Sequence, residues 1–318
     1  MADRDTYDLA GKRVWVAGHR GMVGTALTRR LTSEACTLLE TTRAEVDLRE
    51  QAAARAWMTR ERPDAVFVAA ATVGGIQANA TRPAEFLYDN LMIEANIIHA
   101  AHEIGVGKLL FLGSSCIYPR LADQPITEAA LLTGPLEPTN EWYAIAKIAG
   151  IKLAQAYRRQ HGRHFISAMP TNLYGPNDNF DLASSHVLPA LIRKMHEAKI
   201  ARAPSVVLWG TGTPRREFLH VDDLADALVH LMKTYDADGH VNVGVGEDVS
   251  INELATICAR VVGYEGQFAH DTSKPDGTPR KLLDVSLLTS LGWRASIPLE
   301  AGIAATYRWF LEQSSVRG

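Results

Sequence analysis

Five short runs rich in β-branched and aliphatic residues punctuate the first half of the chain: Val14 to Ala17, Thr37 to Thr41, Ala65 to Ala69, Leu109 to Leu112 and Phe165 to Met169. Stretches of helical periodicity separate them, among them Gln51 to Arg60, Pro83 to Ile104 and Tyr143 to His161. Strand and helix in alternation predict repeated βα units around a parallel sheet, an α/β chain of the doubly wound kind. Past Asn172-Leu-Tyr-Gly-Pro176 the pattern loosens into short strands such as Val206 to Trp209, set among helices and Gly/Pro loops. That change predicts a smaller mixed α/β domain. The first ten residues carry no such pattern and read as a mobile tail.

Composition narrows the picture. A chain of 318 residues, 47% hydrophobic, can bury a substantial core as one large or two closely joined domains. Its net charge of -3, with both signs interspersed, provides no basic field for nucleic acid. No apolar run approaches the length of a membrane span, and the opening residues lack the regions of a signal peptide. Cys36, Cys116 and Cys258 are odd in number, widely spaced and in no metal-binding pattern, so we expect a reducing compartment, the cytoplasm, and no metal.

The chemistry begins where the first apolar run ends. Gly18-His19-Arg20-Gly21-Met22-Val23-Gly24 lies between that run and an amphipathic stretch, which reads as strand, tight turn, helix. Glycines there permit positive φ and close backbone approach, and the helix N-terminus presents N–H groups to a pyrophosphate. A dinucleotide is the expected ligand. Downstream, Tyr143 and Lys147 stand four residues apart, on one helix face, so the ammonium can sit near the phenol and lower its pKa. An isolated Tyr-x-x-x-Lys is usually an interior aromatic beside a solvated lysine. Here it follows Lys108-Leu-Leu-Phe-Leu-Gly-Ser114, a strand delivering a hydroxyl at its carboxyl end, the edge where ligands of doubly wound sheets bind. Ser114 and Tyr143 can then donate to one substrate carbonyl as charge develops on its oxygen during hydride transfer.

Longer motifs extend the pattern. His19-Arg-Gly-Met-Val-Gly24, Val73-Gly-Gly-Ile76, Leu112-Gly-Ser-Ser-Cys-Ile-Tyr-Pro119, Glu137-Pro-Thr-Asn-Glu141, Tyr143-Ala-Ile-Ala-Lys-Ile-Ala-Gly150, Pro170-Thr-Asn-Leu-Tyr-Gly-Pro176 and Lys274-Pro-Asp-Gly-Thr-Pro-Arg-Lys-Leu-Leu-Asp284 together resemble the GDP-L-fucose synthase family of extended short-chain dehydrogenase/reductases. The resemblance runs from about Arg13 to the C-terminal helix. It implies a homodimer that uses NADPH to epimerise GDP-4-keto-6-deoxy-D-mannose at C3 and C5 and then to reduce C4. The implied architecture is a Rossmann-type NADP-binding domain over residues 11–178, with 216–243 returning to it, and a substrate-binding domain over 179–318. A homodimer would form through a four-helix interface made by Pro83 to Ile104 and Tyr143 to His161, with Leu91, Ile97, Ile98, Ile148 and Leu153 as its apolar residues.

The resemblance also assigns residues. Ser114, Tyr143 and Lys147 would serve reduction, while Cys116 as base and His186 as acid would invert the two carbons α to the ketone. Cys116 alone would read as a small buried residue, and His186 as a helix-starting residue. The cofactor would meet the 18–24 turn, with Arg20 and Arg43 at the adenosine phosphate, Asp47 and Leu48 beneath adenine, and Lys147, Pro170, Asn172, Leu173 and His186 nearby. Asp47 also reads as a cap for the Arg49 to Arg60 helix. Glu40 complicates the choice of dinucleotide: facing the ribose it would favour NAD, but a place before the strand end would turn it away. We therefore expect NADP(H). Lys194, Trp209, Arg216, Asp276 and Lys281 are candidates for the diphosphate and base of a GDP-sugar. Lys194 stands where arginine is expected in some relatives, and Arg193 could replace it by a small shift. The competing readings are a nucleotide-sugar 4-epimerase or 4,6-dehydratase, and a catalytically silent NADP-binding protein.

Overall fold

A computed structural model describes residues 7–274 and 276–313. Residues 1–6 of the expected tail, and Pro275 of the 274–284 motif, lie outside the described residues. The rest of that segment is not a free tail. Leu9 is buried in the core, and the Tyr7 hydroxyl donates to the Asp64 carbonyl at 2.9 Å. Apolar contact outweighs the lack of pattern in so short a stretch.

The main sheet has six strands: β1 (Arg13–Ala17), β2 (Thr37–Leu39), β3 (Ala65–Val68), β4 (Lys108–Leu112), β5 (Phe165–Pro170) and β6 (His240–Val243). All pairings are parallel and the order is β6-β5-β4-β3-β1-β2. The near-continuous apolar sequences follow from this, because β3, β4 and β5 are buried on both faces. The chain leaves β1 in one direction to β2 and returns on the other side as β3, so a topological switch point lies between β1 and β3. Ligands bind at the carboxyl ends of strands at such a point.

One face of the sheet is covered by helix α1 (Met22–Leu31) and the helix Val221–Thr234, which share a core of Leu27, Leu31, Leu224, Leu228 and Leu231. The other face carries α2 (Gln51–Glu61), α3 (Pro83–Ile104) and α4 (Glu141–His161), packed with Trp57, Met58, Ile97, Phe111 and Ile151. Proline at the start of α3 and left-handed Gly105 and Gly162 after α3 and α4 set these long helices' limits.

A third core joins the helices Val187–Ala201, Ile251–Val262 and Leu299–Glu312 with the strand Ser205–Trp209. That strand pairs in parallel with Gln267–Asp271. Arg215–Arg216 lies between Val249–Ser250 and Arg280–Lys281 in a separate small sheet, and Leu219, just beyond it, packs in the core of the main sheet. Among the described residues no helix is long and apolar enough to cross a membrane.

Candidate active site

The 18–24 turn follows β1 at the switch point. Gly18 has φ +88°, and a Cβ there would lie 2.8 Å from Ala70 backbone atoms. Gly24 sits where a Cβ would come within 2.0 Å of the Gly18 carbonyl oxygen. Gly21, with extended backbone, caps α1 without a side-chain hydrogen bond, and no acidic residue stands in the helix's first turn. These free amides at a positive helix end, beside backbone packed too closely for side chains, fit a dinucleotide pyrophosphate.

The ribose end corrects two expectations. β2 stops at Leu39, so Glu40 is the first residue beyond the strand, not one before its end, and its Oε2 lies 3.8 Å from His19 Nε2. Arg20 and Arg43 are exposed on the same edge. Asp47 does not cap α2, whose N-cap is Glu50. Its carboxylate instead accepts from the Arg49 amide at 3.0 Å and from the Arg49 guanidinium, at 2.6 Å for Nη2, which holds its pKa at about 2. Leu48 is half-buried, and its carbonyl accepts from Asn96 at 3.0 Å. On the neighbouring strand end, Pro170 closes β5, Asn172 donates to the Glu217 carbonyl at 2.8 Å and Leu173 packs on the core.

β4 ends beside them, and its last residues turn into a short 3₁₀ segment, Ser115–Ile117. Ser114 Oγ accepts from the Cys116 amide at 3.3 Å, so one tight turn sets both side chains. Cys116 Sγ meets two donors, Asn140 Nδ2 at 3.3 Å and Lys281 Nζ at 3.6 Å. Lys281 had been expected at the nucleotide end. Its strand pairs with Arg215–Arg216, and that register carries the ammonium to the thiol. Lys281 also acts on His186. The imidazole is solvent-accessible yet ringed by protein, and loss of hydration, followed by the Lys281 charge, pulls its pKa below the usual histidine value. His186 begins the 187–201 helix through its backbone, and its side chain makes no cap, leaving the ring available. A lowered pKa makes its imidazolium a stronger acid, though a rarer one at neutral pH.

The Tyr143–Lys147 pair departs from expectation. Burial raises the Tyr143 pKa, and the charges of Cys116 and Glu94 add to this, while the Ser114 hydroxyl opposes it. Lys147 does not lead that balance, because its Nζ is 3.7 Å from Glu94 Oε2, with both side chains only 3% exposed. Sequence reasoning missed Glu94 and Asn140. A lone carboxylate within the apolar run Leu91-Met-Ile-Glu94-Ala-Asn-Ile-Ile98 was the available signal for the first. Asn140 stood in a quoted motif without a role.

Trp209 is 50% exposed, with Lys194 Nζ 5.3 Å and Lys274 Nζ 5.4 Å from its ring centroid. Asp276 accepts from the Thr211 amide at 2.7 Å and its hydroxyl at 2.9 Å, which ties it to the loop after Trp209. Arg216 is half-buried and faces Glu137 and Asp276. Arg193, the expected substitute for Lys194, donates to Glu197 at 2.8 Å and to the Phe180 carbonyl at 3.2 Å.

A glycine turn at the switch point, with Ser, Tyr and Lys on the adjoining strand and helix, defines an oxidoreductase of the extended dinucleotide-binding class. Residues 14–244 match the NAD dependent epimerase/dehydratase family. The GDP-L-fucose synthase of Sinorhizobium fredii (strain NGR234) is 60% identical over 96% of this chain and 97% of its own length. That of Escherichia coli (strain K12) is 57% identical over 98% of this chain and 100% of its own. The solved GDP-L-fucose synthetase of Naegleria fowleri bound to NADP is 30% identical, with a TM-score of 0.90 over 98% of this chain and 96% of that one. The chain belongs to the GDP-L-fucose synthase family.

Proposed function

We propose that the protein converts GDP-4-keto-6-deoxy-D-mannose to GDP-L-fucose by epimerisation at C3 and C5 followed by reduction at C4. The observation that carries this reading is Cys116, set two residues beyond Ser114 with Asn140 and Lys281 on its sulfur. Bound NADPH supplies the hydride. Gly18, Gly21 and Gly24 cradle its pyrophosphate, and Arg20 and Arg43 meet the adenosine phosphate. Ser114 and Tyr143 hold the C4 oxygen, so the same two donors stabilise the enolate formed toward C3 and the one formed toward C5. Cys116 removes the proton from each carbon and His186 returns one on the opposite face. Tyr143 then protonates O4 as C4 is reduced.

Trp209 offers its face to the base, and Lys194 and Arg216 meet the diphosphate. A bare 4-epimerase has no use for the Cys–His pair, and the dehydratase reading would require an acidic pair where Ser115-Cys116 stands. The assembled Ser114, Tyr143 and Lys147 argue against a silent binding protein.

The protein acts as a cytoplasmic homodimer in this reading, consistent with three free thiols among the described residues. Of the apolar residues expected at that interface, Ile97, Ile98 and Ile148 are buried within the subunit and Leu91 and Leu153 are half-buried, while Tyr88, Trp142 and Ile145 of α3 and α4 are exposed and would supply its apolar contacts. The test is deuterium wash-in at C3 and C5 in heavy water without NADPH, followed by NMR, comparing the parent with Cys116→Ser. Exchange at both carbons in the parent and its loss in the variant support the reading. Full exchange in Cys116→Ser removes the thiol from the mechanism.

A further inference from the structure

Lys147 stands beside the catalytic Tyr143 and is also met by two groups that the proposed reaction does not use, Glu94 and Phe111. Its Nζ lies 3.7 Å from Glu94 Oε2, 4.7 Å from the Phe111 ring centroid and 5.9 Å from that of Tyr143. Glu94 comes from α3, Phe111 from β4 and Lys147 from α4, so three elements converge on one ammonium. Gly150 keeps the slot open. A Cβ there would stand 2.4 Å from Phe111 Cζ and 2.9 Å from Glu94 Cδ. A buried ion pair is often no better for stability than apolar residues of the same volume, whereas either partner left alone is costly. Stability alone therefore gives little reason for the pair as a whole.

We propose that Glu94 is a positioning residue for the reductive step, holding Lys147 charged and fixed beside Tyr143. When Tyr143 protonates O4, its O–H bond breaks, an O4–H bond forms and the electron pair stays on the phenol oxygen. A fixed ammonium nearby stabilises that phenolate. Burial alone would drive Lys147 toward the neutral amine, and the Glu94 charge opposes it. Burial pushes Glu94 itself above the usual carboxylate range, against the pull of the Lys147 charge. Tyr143 and, beyond it, Cys116 complete the titratable groups facing the pair. Elsewhere on α3, Asp89 pairs with Arg49, Glu103 with Arg55 and Glu85 with Arg82.

The inference rests on the catalytic reading of Lys147. The experiment compares full-length Glu94→Gln, Glu94→Asp and Lys147→Met with the parent, measuring kcat and KM for NADPH-dependent reduction across pH 5.5–9.5 and folding by circular dichroism. In Glu94→Gln, kcat at pH 8 is expected to fall by about 10-fold or more, with KM within about threefold. The basic limb of its profile should move to lower pH, because an unpaired buried ammonium loses its proton sooner. Glu94→Asp keeps the charge but withdraws it by one methylene, and should leave both kcat and the limb between those of Glu94→Gln and the parent.

A folded Glu94→Gln protein with parental kcat and an unmoved limb overturns the proposal. If that variant fails to fold, Glu94→Asp decides, since withdrawing the carboxylate by one methylene should lower kcat and a value within about twofold of the parent overturns the role. Parental reduction in Lys147→Met would instead overturn the reading of the lysine itself.

Discussion

Gly21 and Gly24 share one turn, yet the geometry gives them separable functions. A methyl group at Gly24 would lie 2.0 Å from the Gly18 carbonyl oxygen and 2.6 Å from both Gly18 C and His19 Cα. These distances fall at least about an ångström short of ordinary contact, and the atoms are backbone, which cannot swing aside. Overpacking of this kind costs about 1–3 kcal/mol. A loss near 3 kcal/mol would lower Tm by about 5–10 °C in a chain of this size. Gly24→Ala should therefore destabilise the apoprotein and weaken NADPH together. At Gly21 the same methyl would meet only the Gly18 oxygen, at 3.5 Å, and φ is already -75°. Gly21→Ala should leave the apoprotein's Tm within about a degree while weakening NADPH by about 10-fold or more, because a side chain there would stand at the helix N-terminus proposed to hold the pyrophosphate. Thermal unfolding without cofactor and titration calorimetry with NADPH separate the two. Parental NADPH affinity in Gly21→Ala, or parental Tm in Gly24→Ala, would refute this account of the turn.

Tyr143→Phe should reduce C4 reduction by about 10²-fold or more while leaving the NADPH dissociation constant near its parental value, read by stopped-flow absorbance and by titration. Arg43→Ala, and less so Arg20→Ala, should weaken NADPH relative to NADH by about 10- to 100-fold, the weight of a charge-assisted phosphate contact; equal losses for the two cofactors would restore Glu40 as the ribose contact. Asp178 is buried with Oδ2 unpartnered, and burial pushes its pKa up to about 7. Its contribution to stability is present below the unfolded value and lost as pH rises toward 7, so Asp178→Asn should raise Tm at pH 8 and change it little at pH 4. A Tm gain of equal size at both pH values would contradict that assignment.

Local pattern was enough for much of the architecture. The strands at 13–17, 65–68, 108–112 and 165–170, and the limits of α3, follow from apolar runs and from punctuation by glycine and proline, signals that act between chain neighbours. The placing of Ser114 at a strand end and of Tyr143 and Lys147 on one helix face was legible for the same reason, whereas Cys116 was picked out only by the family resemblance.

The electrostatics of the site were not legible. Whether Lys147 acts mainly on Tyr143 or is held by Glu94 depends on which face of α3 meets α4. Whether Lys281 serves the nucleotide or the Cys116 thiol depends on the register of a two-residue strand against Arg215–Arg216. Burial and charge pairing are properties of three-dimensional neighbours separated by about fifty residues in one case and 165 in the other. Sequence alone thus determined the glycine turn, the strand end and the catalytic spacing, while the tertiary structure decided which charges those groups face, because desolvation and Coulomb interaction depend on distance in space rather than along the chain.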